Sequence, residues 1–210
     1  MSDAGSARFW DRIAGRYARQ PVADEAAYQR KLAVTREYLR PDIEMLEFGC
    51  GTGSTALAHA PFVRHILAID VSGKMLAIAQ GKAEAAGVEN VTFRQSAIED
   101  LDAPDGSFDA VLGMSILHLV ADRDAVIARV YRLLRPGGVF VTSSACLGDG
   151  MGFIRYIEPV GRRLGLMPMV KVFTEAELAK SIEDAGFAIE HQWRPDADKR
   201  KAVFILARKA

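Results

Sequence analysis

Apolar and polar positions along the chain alternate between two periods. From residue 43 onward, short apolar runs are separated by stretches whose apolar positions recur every three or four residues. The first pattern suits buried strands and the second amphipathic helices. Runs at 43–48, 65–69, 91–94 and 108–114 read as four strands, and a fifth follows at 139–145. Helices are expected over 54–60 and 74–86, the latter carrying Ala77, Ile78, Gly81 and Ala85 at helical spacing and stopping at Gly87. After Asp122 and Asp124, Val126, Ile127, Val130, Leu133 and Leu134 form one helix face, and Pro136-Gly137-Gly138 stops it. This strand–helix alternation predicts a parallel sheet covered on both faces.

The pattern differs at the two ends. Phe9, Trp10, Ile13 and Tyr17 make an aromatic stripe on a helix that precedes the first strand. Pro21 interrupts it, and Asp24 is placed to cap a second helix through Tyr28, Leu32 and Leu39. Such helices can lie across a pocket as a lid, with Tyr17 and Tyr28 facing it. Toward the other end, residues 148–168 are rich in Met, Phe, Ile and Leu and contain a helix around 152–164. Thr174-Glu175-Ala176-Glu177 is a capping box that opens a helix ending at Gly186. Runs at 187–193 and 202–207 then close the sheet as an antiparallel pair joined by a polar turn.

Composition narrows the function classes. At 210 residues, with half of them apolar, the chain suits one domain. Its expected segments are an N-terminal helical lid (1–41), a strand–helix core (42–145), an insert with a following helix (146–185) and closing antiparallel strands (186–210). Lys+Arg and Asp+Glu are both 27, so a basic nucleic-acid footprint is not expected. No apolar run is long enough to span a membrane, and no signal peptide is visible. Cys50 and Cys146 have no metal-like spacing; a reducing, cytoplasmic setting is the default expectation, with the chain a monomer or homodimer.

The candidate chemistry centres on 43–56, where an apolar run ends at Glu47 and glycines follow at 49, 51 and 53. Glycines let a strand turn sharply into a helix and let a ligand approach the backbone. The helix start adds free N–H groups, and a carboxylate beside them suits a ligand that carries a positive group. Ser54 stands where a dinucleotide fingerprint needs its third glycine.

Four stretches in register, Leu46-Glu-Phe-Gly-Cys-Gly-Thr-Gly53, Ile66-Leu-Ala-Ile-Asp70, Asp105-Gly-Ser-Phe-Asp-Ala-Val111 and Leu134-Arg-Pro-Gly-Gly138, resemble the class I S-adenosylmethionine-dependent methyltransferases. The resemblance is close over 41–138. It implies a Rossmann-like, doubly wound α/β fold whose seven-stranded sheet is mostly parallel with an antiparallel last strand. It also implies S-adenosylmethionine as cofactor, held by Glu47, Gly49, Cys50, Gly51 and Gly53, by Asp70, Val71 and Met75, and by Ser96, Ala97, Ile98 and Met114. Asp70 is the expected ribose ligand. Family members often carry an acidic residue for the adenine amino group where this chain has Ala97. Glu99 and Asp100 read as solvated carboxylates at a helix start.

For the chemical step, His118 and Tyr17 are the candidate catalytic residues; no metal is expected. The stretch 113–118 lacks the Asn/Asp-Pro-Pro-Tyr box of relatives that methylate base or glutamine amino groups. With the neutral overall charge, a small-molecule methyl acceptor is therefore expected, apolar if the insert at 151–164 shapes its pocket. Met151, Phe153, Ile154, Tyr156, Ile157, Val160 and Leu164 either shape its pocket or pack over the sheet. Arg155, Arg162 and Arg163 read as solvated surface, or as contacts to an anionic acceptor. The competing functions are a nicotinamide-dependent oxidoreductase, disfavoured by Ser54, and a non-catalytic cofactor-binding member of the fold.

Overall fold

The computed structural model describes residues 4–198 and 201–210. In chain order the elements are α1 (Ala4–Tyr17), α2 (Glu25–Arg36), β1 (Glu44–Phe48), α3 (Ser54–His59), β2 (His65–Asp70), α4 (Gly73–Ala86) and β3 (Val91–Gln95). They continue with β4 (Phe108–Met114), α5 (Arg123–Leu133), β5 (Leu134–Ser144), α6 (Ile154–Arg163), α7 (Glu175–Asp184), β6 (Phe187–Trp193) and β7 (Val203–Lys209). The seven strands form one sheet in the order β3-β2-β1-β4-β5-β7-β6, in which β7 alone runs antiparallel to its neighbours. The strand order reverses at β1 and β4, and the crevice at their carboxyl ends is where such sheets bind ligands.

Alternation along the strands divides the core into two layers. Leu46, Phe48, Leu67, Ile69, Val111 and Phe140 pack on one face with Val126, Ile127 and Val130 of α5 and Leu178 and Ile182 of α7. Met45, Ile66, Ala68, Ala110, Leu112 and Val141 pack on the other, against Ala56 of α3 and Leu76 of α4. Side-chain oxygens close several helix starts, as expected: Asp24 accepts from the Ala27 N–H, Asp122 from Ala125, and Thr174 and Glu177 cap each other reciprocally.

Four local expectations are corrected. In α4 the buried positions are Met75, Leu76, Ala79 and Ala83, while Ala77, Gly81 and Ala85 are exposed. Half of its residues are Gly or Ala and fall on several sides of the helix, so their spacing does not select a face; the large Met75 and Leu76 do. The Pro-Gly-Gly stretch does not stop a helix but bulges within a strand. Leu134 already pairs with Phe108, 135–138 loop out, and pairing resumes at Val139 opposite Ala110, with Gly137 at φ 76°. Glu99 and Asp100 lie in a turn rather than at a helix start. Finally, most of the apolar insert faces solvent, with only Met151 and Ile154 half-buried, and none of it lines the central cavity. Glu158 is the one buried residue of α6, and Phe153, Tyr156, Ile157, Val160 and Leu164 are all exposed.

Candidate active site

A cavity of about 350 Å³ opens at the carboxyl ends of β1, β2 and β4. One wall is backbone-rich. After β1 the chain passes through Gly49, Gly51 and Gly53, all at positive φ. A Cβ on Gly49 would stand 2.6 Å from Ile116 Cγ1, and one on Gly53 would stand 2.8 Å from Ala79 Cβ. These two glycines are therefore required by internal packing as well as by their backbone angles. Gly51 differs: nothing lies within 4 Å of the Cβ it lacks, and it lines the cavity. It is the point where a ligand can approach the main chain.

Asp70, the last residue of β2, fixes this wall. Its Oδ2 accepts from the Gly51 N–H and its Oδ1 from the Ser72 N–H, both at 2.8 Å. Burial, opposed by these amides, raises its carboxyl above the usual range. Each oxygen keeps a further lone pair for a hydroxyl donor from the cavity. The Ser96 N–H donates to the Asp70 carbonyl at 3.1 Å, which brings the 96–98 turn to the same wall. Val71, Met75, Ser96, Ala97, Ile98 and Met114 all line the cavity with Gly49, Gly51 and Asp70.

Glu47, Cys50 and Gly53 lie behind this lining rather than on it. Glu47 is 2% exposed, its Oε2 has no hydrogen-bond partner, and burial followed by the Asp70 charge pushes it up to about 8. A buried carboxylate in that state is poised to ionise when a cation comes near. Cys50 is buried too, and desolvation raises its thiol far above the ordinary range, so it remains protonated.

The opposite wall is made of side chains. From α1 come Ser6, Trp10 and Tyr17; from the segment after β4 come Ser115, Ile116, Leu119 and Val120; Met169 adds a contact from beyond α6. Asp11 ties α1 to the cofactor wall, its Oδ1 accepting from Ser72 Oγ at 2.6 Å and from the Lys74 N–H at 3.0 Å. The bond from Ser72, then that from Lys74, hold its carboxyl below the usual range. Tyr17 has its phenol raised by desolvation and next by Asp70. Tyr28 is half-buried on α2 and does not reach the cavity.

His118 sits on a 3-10 turn, Leu117–Leu119, with its Nδ1 buried and unpartnered. It does not line the cavity, and burial lowers it to about 4. Sequence reasoning missed Ser115, which lines the cavity at φ 58°, an uncommon backbone angle for a residue with a side chain. It also missed Asp11, Leu119, Val120 and Met169. The rule that ligands sit outside strand carboxyl ends could have drawn 115–120 into view; nothing in the sequence singles out Met169.

Known proteins agree with this architecture. Residues 45–138 match the family model described as a methyltransferase domain. An arsenite methyltransferase of Aquipseudomonas alcaligenes is 36% identical over 69% of this chain and 51% of its own length. A ubiquinone biosynthesis O-methyltransferase of Xanthomonas axonopodis pv. citri is 31% identical over 75% of this chain and 70% of its own. The chain spans about half the length of several curated relatives, between 40% and 61% for four of them. Among solved structures, YcgJ of Bacillus subtilis superposes with a TM-score of 0.72 at 21% identity, covering 86% of this chain and 98% of that one. The [4+2]-cyclase SpnF gives the same TM-score at 22% identity over 87% of this chain and 81% of its own, so shape alone does not fix the reaction. Sequence does what shape cannot: the family match spans the glycine loop, Asp70 and the bulge after α5, and with 31% identity over 70% of a curated relative this chain belongs to the class I S-adenosylmethionine-dependent methyltransferases.

Proposed function

We propose that the chain transfers the methyl group of S-adenosylmethionine to a small, predominantly apolar acceptor. The observation that carries this reading is the contrast across the cavity. Hydrogen-bonding groups of Gly51, Asp70 and Ser96 gather on the first wall, while Trp10, Ile116, Leu119 and Val120 give the other an apolar body among Ser6, Tyr17 and Ser115. The residues present fit the family's cofactor. Gly51 leaves open space beside its backbone, Asp70 has spare acceptor capacity, and Glu47 is a buried carboxylate without a hydrogen-bond partner on one oxygen. Asp70 would take the ribose hydroxyls, Val71, Met75 and Ile98 would cover the adenine, and Glu47 would answer the ammonium from behind the loop.

When bound, the cofactor supplies a methyl group already activated on a sulfonium. The protein's share is then positioning and exclusion of water. Asp11 holds α1 against the cofactor wall, and the Tyr17 phenol keeps its proton and serves as a hydrogen-bond donor.

The names of relatives suggest acceptors to weigh. An arsenite acceptor favours soft thiolate ligands. Here both cysteines are buried, with Cys146 pushed up to about 12 by desolvation. A ring such as that of the quinone-pathway enzymes suits the apolar wall better. Calorimetry with S-adenosylhomocysteine tests the cofactor half, and no binding at millimolar ligand overturns it. Asp70→Ala is expected to weaken binding about tenfold to a hundredfold, the scale of a lost charge-assisted contact. Release of S-adenosylhomocysteine on incubation with quinols and phenols tests the acceptor half; turnover with arsenite alone would sink it.

A further inference from the structure

Of the described helices, α6 separates its apolar and polar sides most sharply, and it is turned the wrong way round for a soluble core. Its single buried residue is Glu158, whose Oε1 lies 3.2 Å from Arg162 Nε without hydrogen-bond alignment. Outward face Phe153, Tyr156, Ile157, Val160 and Leu164, spaced three and four residues apart along one stripe. Leu166 extends the stripe beyond the helix. Tyr156 is 78% exposed and Leu166 74%, values far from those of packing side chains.

The same surface is strongly basic although the chain as a whole is neutral. Arg163 borders the apolar stripe, Arg155 and Arg162 stand on the Glu158 side of α6, and all three are exposed. Across a shallow recess, α1 contributes Arg8 and Arg12, with Arg16 further along, and the Arg12 guanidinium donates to the Gly165 carbonyl. The only carboxylate between residues 150 and 173 is the buried Glu158. Ser6 and Met169 line both this recess and the central cavity.

We propose that α6 and the adjoining face of α1 dock onto an anionic membrane surface. A short helix with an exposed aromatic and aliphatic stripe, set in a surface rich in arginines and otherwise polar, is the pattern of an element that lies in the lipid interface. The arginines attract phosphate headgroups while the stripe enters the acyl boundary. No described helix is long and apolar enough to cross a membrane, so the contact is a surface one. Since Ser6 and Met169 join the recess to the central cavity, docking brings that cavity beside the bilayer. The docking itself does not depend on which acceptor the cavity takes.

Co-sedimentation with phosphatidylcholine vesicles, prepared with and without phosphatidylglycerol, tests the proposal on the full chain. Binding to the anionic vesicles is expected to exceed binding to the neutral ones by about tenfold or more, and to fall with added salt. The double substitution Ile157→Glu with Val160→Glu should abolish it, and Arg162→Glu with Arg163→Glu should return it to the neutral-vesicle level. S-adenosylhomocysteine affinity and the thermal transition of each variant report that the fold is intact. Absence of binding to anionic vesicles by the parent chain overturns the proposal. So does sedimentation velocity showing a dimer that Ile157→Glu with Val160→Glu dissociates, because a second copy would then cover the face. Inorganic phosphate bound in the recess, without vesicle binding, would equally overturn it and assign the arginines to a soluble anion.

Discussion

The two walls of the cavity are held in place by different means. Around Asp70 the wall is main chain, fixed by paired amides and by glycines whose missing side chains leave room for Ile116, Ala79 and Phe93. Across from it, the wall is a set of side chains from α1, from 115–122 and from Met169, with α1 tied to the first wall through Asp11 and 115–122 tied to β5 through the Ser115 N–H on the Ser143 carbonyl. The first arrangement tolerates almost no change of shape. The second can be re-lined by single substitutions without disturbing the sheet. A fold that keeps one cofactor while its acceptors vary needs such a division.

The sheet beneath both walls sets the upper bound on any effect. Leu112→Ala, in the middle of β4 and fully buried, is expected to cost about 2–5 kcal/mol, measured by urea unfolding. A loss near zero would mean that the two walls do not rest on a common packed layer. Next comes Gly49→Ala. Its new Cβ meets Ile116 at 2.6 Å on a backbone at φ 64°, so a loss of about 1–3 kcal/mol is expected. Pairing it with Ile116→Ala should recover part of that loss, because Ile116 belongs to the opposite wall. If the two losses simply add, the walls are not joined there.

Glu47 gives a pH test of the rigid wall. Its folded value of about 8 lies above its ordinary 4.5, so the folded state holds the proton more tightly than the unfolded one. The contribution to stability is thus fully present below pH 4.5 and is lost as the pH rises to about 8. Glu47→Gln should flatten the decline of unfolding free energy across that window. An unaltered slope would show that another group carries it. The smallest effect is expected away from both walls, on the exposed stripe of α6, where Val160→Ala should change stability by less than about 0.5 kcal/mol. A loss of several times that size would mean the exposed stripe is already covered in solution.

Legibility in the sequence follows the same division. Strand–helix alternation, the capping residues Asp24, Asp122 and Thr174, and the glycine loop are local signals, and the main-chain wall is built from them. Asp70 is readable because it ends a strand that a motif also marks. The facing wall is assembled from distant segments, and no local pattern says that Met169 approaches Ser6. In α6 the periodicity was visible while its direction was not. An apolar stripe looks the same on paper whether a helix presents it inward or outward, and only the buried Glu158 reveals the orientation. Small residues defeated the reading of α4 for a related reason: alanines on several faces carry little burial preference.

One topological feature bears on how the molecule is made. β7 follows every other strand in sequence, yet it lies between β5 and β6 and pairs with both. Until residues 203–209 leave the ribosome, the 139–144 stretch of β5 therefore displays an open row of amides and carbonyls in the middle of the future sheet. That stretch is wholly buried in the finished fold and apolar through much of its length, which makes it a template for a neighbouring nascent chain. Completion of the sheet must wait for the last strand, and a chain ending before it would present an adhesive edge in place of a core.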